Sequence, residues 1–120
     1  MIYYGLTEFI CSIEEIRDEI MYCEARGDNA RVYLTNGDYW HLTCCLGRIE
    51  DLLNNDDFFR CDKSFLVNQC FITGVNFKTN LLILYNKTKT SECYIKIPAS
   101  YRALKKIKTY LREKGYEILS

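Results

Sequence analysis

Asn36-Gly37-Asp38 stands between two runs of alternating character, Asn29–Thr35 and Tyr39–Cys44. An Asn-Gly step in that position is a strong short-range signal for a β-hairpin. Both turn positions of the tight two-residue form take positive φ, which Gly and Asn adopt most readily. This stretch is therefore committed to antiparallel pairing, and the aromatic content extends the argument to the rest of the chain. Ten tyrosines and six phenylalanines suit half-buried pleated surfaces better than helix faces. With 48% apolar residues and one proline in 120 residues, the chain has material for a core and the length of one domain.

Other segments follow the same logic. Ile20–Arg26 and Phe58–Cys61 read as strands. Phe71–Phe77 and Leu81–Tyr85 read as a second hairpin across Lys78–Asn80, with a turn at Asn86–Lys89 and a further strand at Thr90–Ile97. Leu46, Ile49, Leu52 and Leu53 follow helical spacing, which predicts a short amphipathic helix over Leu46–Leu53, stopped by the polar turn Asn54–Asp57. Pro98 breaks the strand ladder and suits a helix start. A helix over Ser100–Lys114 ends at Gly115, with Tyr101, Leu104, Ile107 and Leu111 on one face and Arg102, Lys105, Lys106 and Arg112 on another. Glu8–Glu19, an apolar run followed by an acidic one, gives no single pattern. The expected fold is mainly β, in antiparallel sheets, with a short helix after the first hairpin and a C-terminal helix.

Several function classes lose support. No apolar run is long enough to span a bilayer and no secretory leader pattern opens the chain, which points to a soluble, cytoplasmic protein without a membrane partner. Seven cysteines at 11, 23, 44, 45, 61, 70 and 93 are odd in number and contain no Cys-x-x-Cys pair. That pattern fits neither a disulfide framework nor a zinc site, and His41 is the single histidine. Reduced, mostly buried thiols are expected, with a redox role for Cys61 as the rival. His41, beside Trp40, reads as a strand surface residue. There is no Gly-rich phosphate loop, no nucleophile with a paired base and no metal constellation, so neither an enzyme nor a cofactor is expected.

The formal net charge is zero, but its distribution is not even. Residues 1–59 hold four basic and twelve acidic side chains, 4 − 12 = −8, and residues 60–120 hold twelve and four, 12 − 4 = +8. A concentrated basic surface attracts phosphate whatever the overall balance. Alternatively, the two halves fold against each other and neutralise. Within the basic half, Phe58–Asn68 (FFRCDKSFLVN) packs Arg60, Asp62, Lys63, Ser64 and Asn68 among Phe58, Phe59, Phe65, Leu66 and Val67. Polar residues so anchored suit a rigid loop facing phosphates and base edges. A solvated connection is the plainer reading. Arg60 has two readings, a phosphate contact or a local carboxylate partner. Asn68 likewise divides between turn residue and base reader.

FFRCDKSFLVN resembles the signature of the LytTR domain, roughly F-x-R-x-H-[KRN]-S-x-x-V-N, the DNA-binding output domain of bacterial response regulators. The resemblance continues in order through Ile20–Ala25, Leu34–Gly37, Leu46–Leu53, Cys70–Ile72, and Ser100–Arg102 with Lys105–Ile107, covering about residues 8–112. It implies one LytTR-type domain over residues 1–120 with no receiver domain in this chain, part of a two-component system, and DNA binding by loops in successive major grooves. In this reading Asn29–Arg31 forms a first contact loop, Lys63 beside Ser64 a second, and Arg102 a third. Arg60, Asn68, Lys105 and Lys106 complete the DNA-binding set, and Arg102 has a surface-cation alternative. The implied partners are double-stranded DNA with repeated sites, a second copy of the chain on DNA, and RNA polymerase. The implied role is transcription regulation.

Asp62 stands where the family has histidine. A carboxylate facing phosphates is unfavourable, so Asp62 is expected to turn away, pair with Lys63 or Arg60, or accept from a cytosine amine. The rival function is a protein-interaction module derived from such a domain, with weakened DNA binding.

Overall fold

The computed structural model describes residues 2–3, 5–54 and 57–115. In chain order its first half holds β1 (Ile2–Tyr3), α1 (Leu6–Ile16), β2 (Ile20–Arg26), β3 (Asn29–Leu34), β4 (Tyr39–Leu42) and α2 (Leu46–Leu53). The second half holds β5 (Phe58–Asp62), β6 (Phe65–Asn68), β7 (Ile72–Asn76), β8 (Leu81–Lys87), β9 (Glu92–Pro98) and α3 (Tyr101–Glu113). The mainly antiparallel β-fold and both expected helices are present. Residues 55 and 56 of the expected Asn54–Asp57 turn lie outside the described residues.

The first hairpin forms, with a different turn. Gly37 takes φ +92°, while Asn36 is not among the described residues with positive φ. Leu34 accepts from the Gly37 N–H at 3.1 Å and donates to the Asp38 carbonyl at 2.9 Å. That is a three-residue loop closed by a glycine bulge, not the two-residue form. The Asn36 Oδ1 accepts from the Asp38 N–H at 2.9 Å, so Asn36 serves through its side chain rather than its backbone.

Six strands make one sheet in the order β1-β4-β3-β2-β6-β5, antiparallel except for β1 beside β4, and three make a second in the order β7-β8-β9. The larger sheet is covered on both faces. On one face α1 and α2 set Phe9, Ile13, Ile49 and Leu53 against Cys23, Val32, Leu42 and Leu66. On the other, Met21 and Val67 meet Ile72, Val75, Leu82, Leu84 and Ile97 of the smaller sheet, together with Leu104, Ile107 and Leu111 of α3. Successive residues Leu66 and Val67 thus serve opposite cores, the period-two alternation of a strand buried on both sides.

Helix α1 has no counterpart among the expected elements. Phe9, Ile13 and Ile16 are spaced as one helix face, and Phe9 meets Trp40 edge-on at a ring distance of 5.4 Å. Its start carries no side-chain cap, since Gly5 occupies the N-cap, so the usual start signal is missing. The Arg17 guanidinium, just past its end, donates to the Leu53 carbonyl at 2.8 Å and ties α1 to α2.

Three further expectations change. Pro98 does not stop the ladder; it is the last residue of the edge strand β9, paired with Leu81, where a missing N–H is tolerated. Tyr101 is not on the buried face of α3 but is 58% exposed. Lys63 and Ser64 form not a longer loop but the tight turn between β5 and β6.

Asn68 is the one described polar residue in the core, 3% exposed. Its Nδ2 donates to the Ile20 carbonyl at 2.9 Å and its Oδ1 accepts from the Cys70 N–H at 3.1 Å. With both ends of the amide engaged inside, Asn68 is a structural residue and not a base reader. Asn68→Ala leaves both backbone groups without these partners. It is expected to lower the unfolding free energy by about 1–3 kcal/mol, read as a lower urea midpoint at unchanged slope.

Candidate nucleic-acid interface

The site follows from one pairing. β2 joins β6 antiparallel, with Tyr22 opposite Val67, Cys23 opposite Leu66 and Glu24 opposite Phe65. The β2–β3 turn at Gly27-Asp28 and the β5–β6 turn at Lys63-Ser64 therefore lie at the same end of the sheet. The Ala25 N–H donates to the Ser64 carbonyl at 2.8 Å, extending the pairing to the turn itself. The Ser100 N–H donates to the Cys61 carbonyl at 2.9 Å and brings the start of α3 to the same end. The Ala99 N–H donates to the Asn80 carbonyl at 3.0 Å, which adds the β7–β8 turn.

Arg60 fixes the central turn from within. Its Nε donates to the Asp62 carbonyl at 3.0 Å, Nη2 to the Lys63 carbonyl at 2.6 Å, and Nη1 to the Glu50 carboxylate on α2 at 2.9 Å. Of its two readings, the local carboxylate holds, and the planar fork also takes both turn carbonyls. The Asp62 Oδ2 accepts from the Ser64 N–H at 3.1 Å. Asp62 thus caps the turn instead of pairing with Lys63 or Arg60. With the backbone held on three sides, the Lys63 side chain is exposed and enters no ion pair with a described residue. A cleft lined by Arg60, Cys61, Asp62, Lys63 and Ser100 separates the turn from α3.

Cys61 sits under this turn and is 1% exposed, with its thiol 3.5 Å from the Pro98 carbonyl. Burial, followed by the Asp62 charge, pushes its pKa up to about 12. A buried neutral thiol is a poor nucleophile, so the redox reading of Cys61 loses its chemical basis. Burial raises Cys23 in the same way. Among the described residues no cluster of His, Cys, Asp or Glu is placed to hold a metal ion, and no helix is long and apolar enough to cross a membrane.

The other expected site residues divide. Arg102, Lys105 and Lys106 are exposed on α3, within two turns of the Ser100 N-cap, whose Oγ accepts from the Ala103 N–H at 3.1 Å. Asn29 and Arg31 belong to β3 and not to a loop, which consists of Gly27-Asp28. Asn29 opens the strand, half-buried beside that turn. Arg31 is half-buried, with its guanidinium 4.7 Å above the Tyr39 ring and 3.5 Å from the Tyr33 hydroxyl. It is held by aromatic groups on the sheet face, whereas Lys63 projects freely. His41 is half-buried in β4 opposite Arg31.

Local pattern does not place every participant. Glu50, Arg60's partner, sits in a helix read only for its leucines. Ser100, the first residue of the expected helix, is its N-cap and also lines the cleft. Phe77 and Tyr101 meet edge-on at 5.9 Å, with Lys105 4.9 Å from the Tyr101 ring and Lys108 5.5 Å from the Phe77 ring.

The charges of the two halves sort in part by face. The acidic residues Glu14 and Glu15 are exposed on α1, which covers one face of the larger sheet, and the exposed basic residues of α3 lie in the layer on its other face. Among the described residues three ion pairs form, and only Arg60–Glu50 joins the two halves of the chain. The acidic α1 and the basic α3 thus lie on opposite faces of the sheet, while Asp28 and Asp62 stand at the loop end itself.

The family model for the LytTr DNA-binding domain matches residues 14–112. Among solved structures the chain is similar to the LytTr DNA-binding domain of a Bacillus cereus response regulator, at 22% identity, 80% coverage of each chain and a TM-score of 0.48. No curated protein matches. The match over residues 14–112 covers most of the 120-residue chain, which therefore belongs to the LytTr DNA-binding domain family.

Proposed function

We propose that this chain binds double-stranded DNA in a sequence-specific manner, through the loops gathered at one end of its sheets, and thereby regulates transcription. The observation that carries the reading is the braced turn. Three guanidinium bonds from Arg60 and one carboxylate cap from Asp62 hold Lys63-Ser64 rigid beside the start of α3. A lysine on a fixed backbone can reach guanine O6 and N7 with no further cost of ordering the loop.

In this reading Lys63 and Arg102 read base edges, Ser64 and Asn29 contact the backbone or bases nearby, and Lys105 and Lys106 neutralise phosphate. Arg60 acts through the turn it positions, and Arg31 supports the neighbouring strands. Bending the duplex toward the loops would let sequence be read at base pairs they do not touch. A cytoplasmic setting, a two-component pathway, repeated sites and RNA polymerase as a partner belong to the same proposal.

The test is selection of duplexes from a random pool, then titration of the preferred site across salt concentrations. Lys63→Ala is expected to weaken the preferred site by about 1–3 kcal/mol if it reads a base. Unchanged affinity would remove Lys63 from the interface. No preferred sequence together with a flat salt dependence would favour the protein-interaction reading, since phosphate neutralisation gives a steep slope.

Asp62→Asn keeps an oxygen to cap the Ser64 N–H and removes one negative charge from the contact end. Non-specific binding is expected to tighten at low salt, and the gain to shrink as salt rises. Weaker binding at every salt concentration would mean that the carboxylate makes a favourable contact with DNA.

A further inference from the structure

The outer edge of β9 is an open sheet edge with a self-complementary sequence. We infer that it pairs antiparallel with the same strand of a second copy, about a two-fold axis at Tyr94. This pairing needs no DNA and goes beyond the DNA-binding reading.

The register between β8 and β9 decides which backbone groups are free. Leu81 pairs with Pro98, Ile83 with Lys96, Tyr85 with Tyr94 and Lys87 with Glu92, with no irregularity along the ladder. The Ala99 N–H donates to the Asn80 carbonyl at 3.0 Å, which identifies the next pair outward as hydrogen-bonded. Antiparallel pairs alternate between hydrogen-bonded and non-bonded. Ile97, Ile95 and Cys93 therefore turn their amides and carbonyls toward β8. Glu92, Tyr94 and Lys96 turn theirs outward, and so does Pro98, which has no N–H to offer.

The other sheet edges are less available. Ser100 occupies the Cys61 carbonyl beside β5, α3 lies against β7, and β1 is two residues long. The outer edge of β9 pairs with no further strand among the described residues. Its outward-facing side chains are exposed, with Tyr94 at 65%. Tyr94 also stacks at a tilt on Tyr85, 4.9 Å between ring centres.

Charge and proline select the register. With Tyr94 opposite Tyr94 of a second copy, Glu92 of each copy faces Lys96 of the other. All three positions are then hydrogen-bonded pairs, and two opposite-charge pairs flank a row of four tyrosines. Centring on Ile95 would set Glu92 against Pro98 and lose an N–H. Centring on Lys96 would set like charges face to face. A lysine on an edge strand usually discourages pairing; here Glu92 of the other copy answers it. The result is an isologous two-fold contact. It is small, so association should be weak.

The test is sedimentation equilibrium of the full chain without DNA, at about 100 μM and above, where weak contacts populate. The wild type is expected to dimerise. Glu92→Lys and Lys96→Glu, each folded by circular dichroism, are expected to stay monomeric because each sets like charges opposite one another. Mixed in equal amounts, the two variants are expected to form a heterodimer, in which both charge pairs are again opposite. The double variant Glu92→Lys/Lys96→Glu is expected to dimerise on its own. A monomeric wild type, single variants that associate as strongly as the wild type, or a mixture that stays monomeric would each overturn the pairing. Failure of DNA binding would not affect any of these readings.

Discussion

The antiparallel contact between β2 and β6 joins parts of the chain more than forty residues apart, Tyr22 to Val67 and Glu24 to Phe65. Two hairpins that are local in sequence become neighbours through it, and their turns emerge at one end. Its register has little freedom. Cys23 and Leu66 belong to the core under α1 and α2, whereas Val67 belongs to the core shared with the smaller sheet and α3. A slip of one residue would exchange those faces and place each side chain in the wrong core. The position of the Lys63-Ser64 turn is therefore set by packing on both sides of a strand two residues away. Asn68, at the far end of β6, reinforces that setting by bonding the Ile20 carbonyl at the start of β2.

The segment Phe58–Asn68 divides its polar residues by function. Arg60, Asp62 and Asn68 all point their chemistry inward or along the backbone, at Glu50, the turn carbonyls, Ser64, Ile20 and Cys70. Lys63 alone extends away, with Ser64 beside it. A side chain of Lys63's length carries considerable rotamer entropy, so a fixed attachment point is the part the fold can supply. The Arg60–Glu50 pair is partly exposed, with side-chain exposures of 33% and 42%, and contributes little to stability by its charges alone. Its effect is geometric, linking the turn to α2. Asp62 fits the same account. A carboxylate that caps a turn through one oxygen serves the geometry even where its charge opposes the proposed ligand.

Much of this was legible in the sequence, and the limits have physical causes. α2 runs over Leu46–Leu53 as its leucine spacing predicts, and α3 over Tyr101–Glu113, one residue inside each end of the expected Ser100–Lys114 helix. Both helices bury one narrow stripe, so periodicity finds them. α1 escaped because its uncapped start and exposed Glu14 and Glu15 mask the Phe9, Ile13, Ile16 stripe. Asn29 and Arg31 lie in β3, as the alternating run Asn29–Thr35 predicts and against the loop that the family resemblance implies, because the Gly27-Asp28 turn is short and the strand begins directly after it. Tyr101 has the spacing of a core residue, yet Phe77 meets it from the β7–β8 turn and leaves it largely exposed. Partners supplied by distant elements, such as Glu50 for Arg60 or Ile20 for Asn68, leave no trace in local pattern.

A zero net charge would ordinarily argue against a polyanion as ligand. It does so only if the charges mix. Here the central sheet holds the acidic α1 on one side and the basic α3 on the other, so the molecule carries opposite fields on its two faces. At physiological salt, interactions are screened beyond about 8 Å, less than the smallest dimension of the molecule, 22 Å. A surface brought close to the loop end therefore meets α3 and Lys63, with Asp28 and Asp62 between them, and the acidic helix hardly at all. The reverse approach meets repulsion from a phosphate backbone. Overall neutrality thus weakens attraction at long range, while the charges of each face act locally at contact.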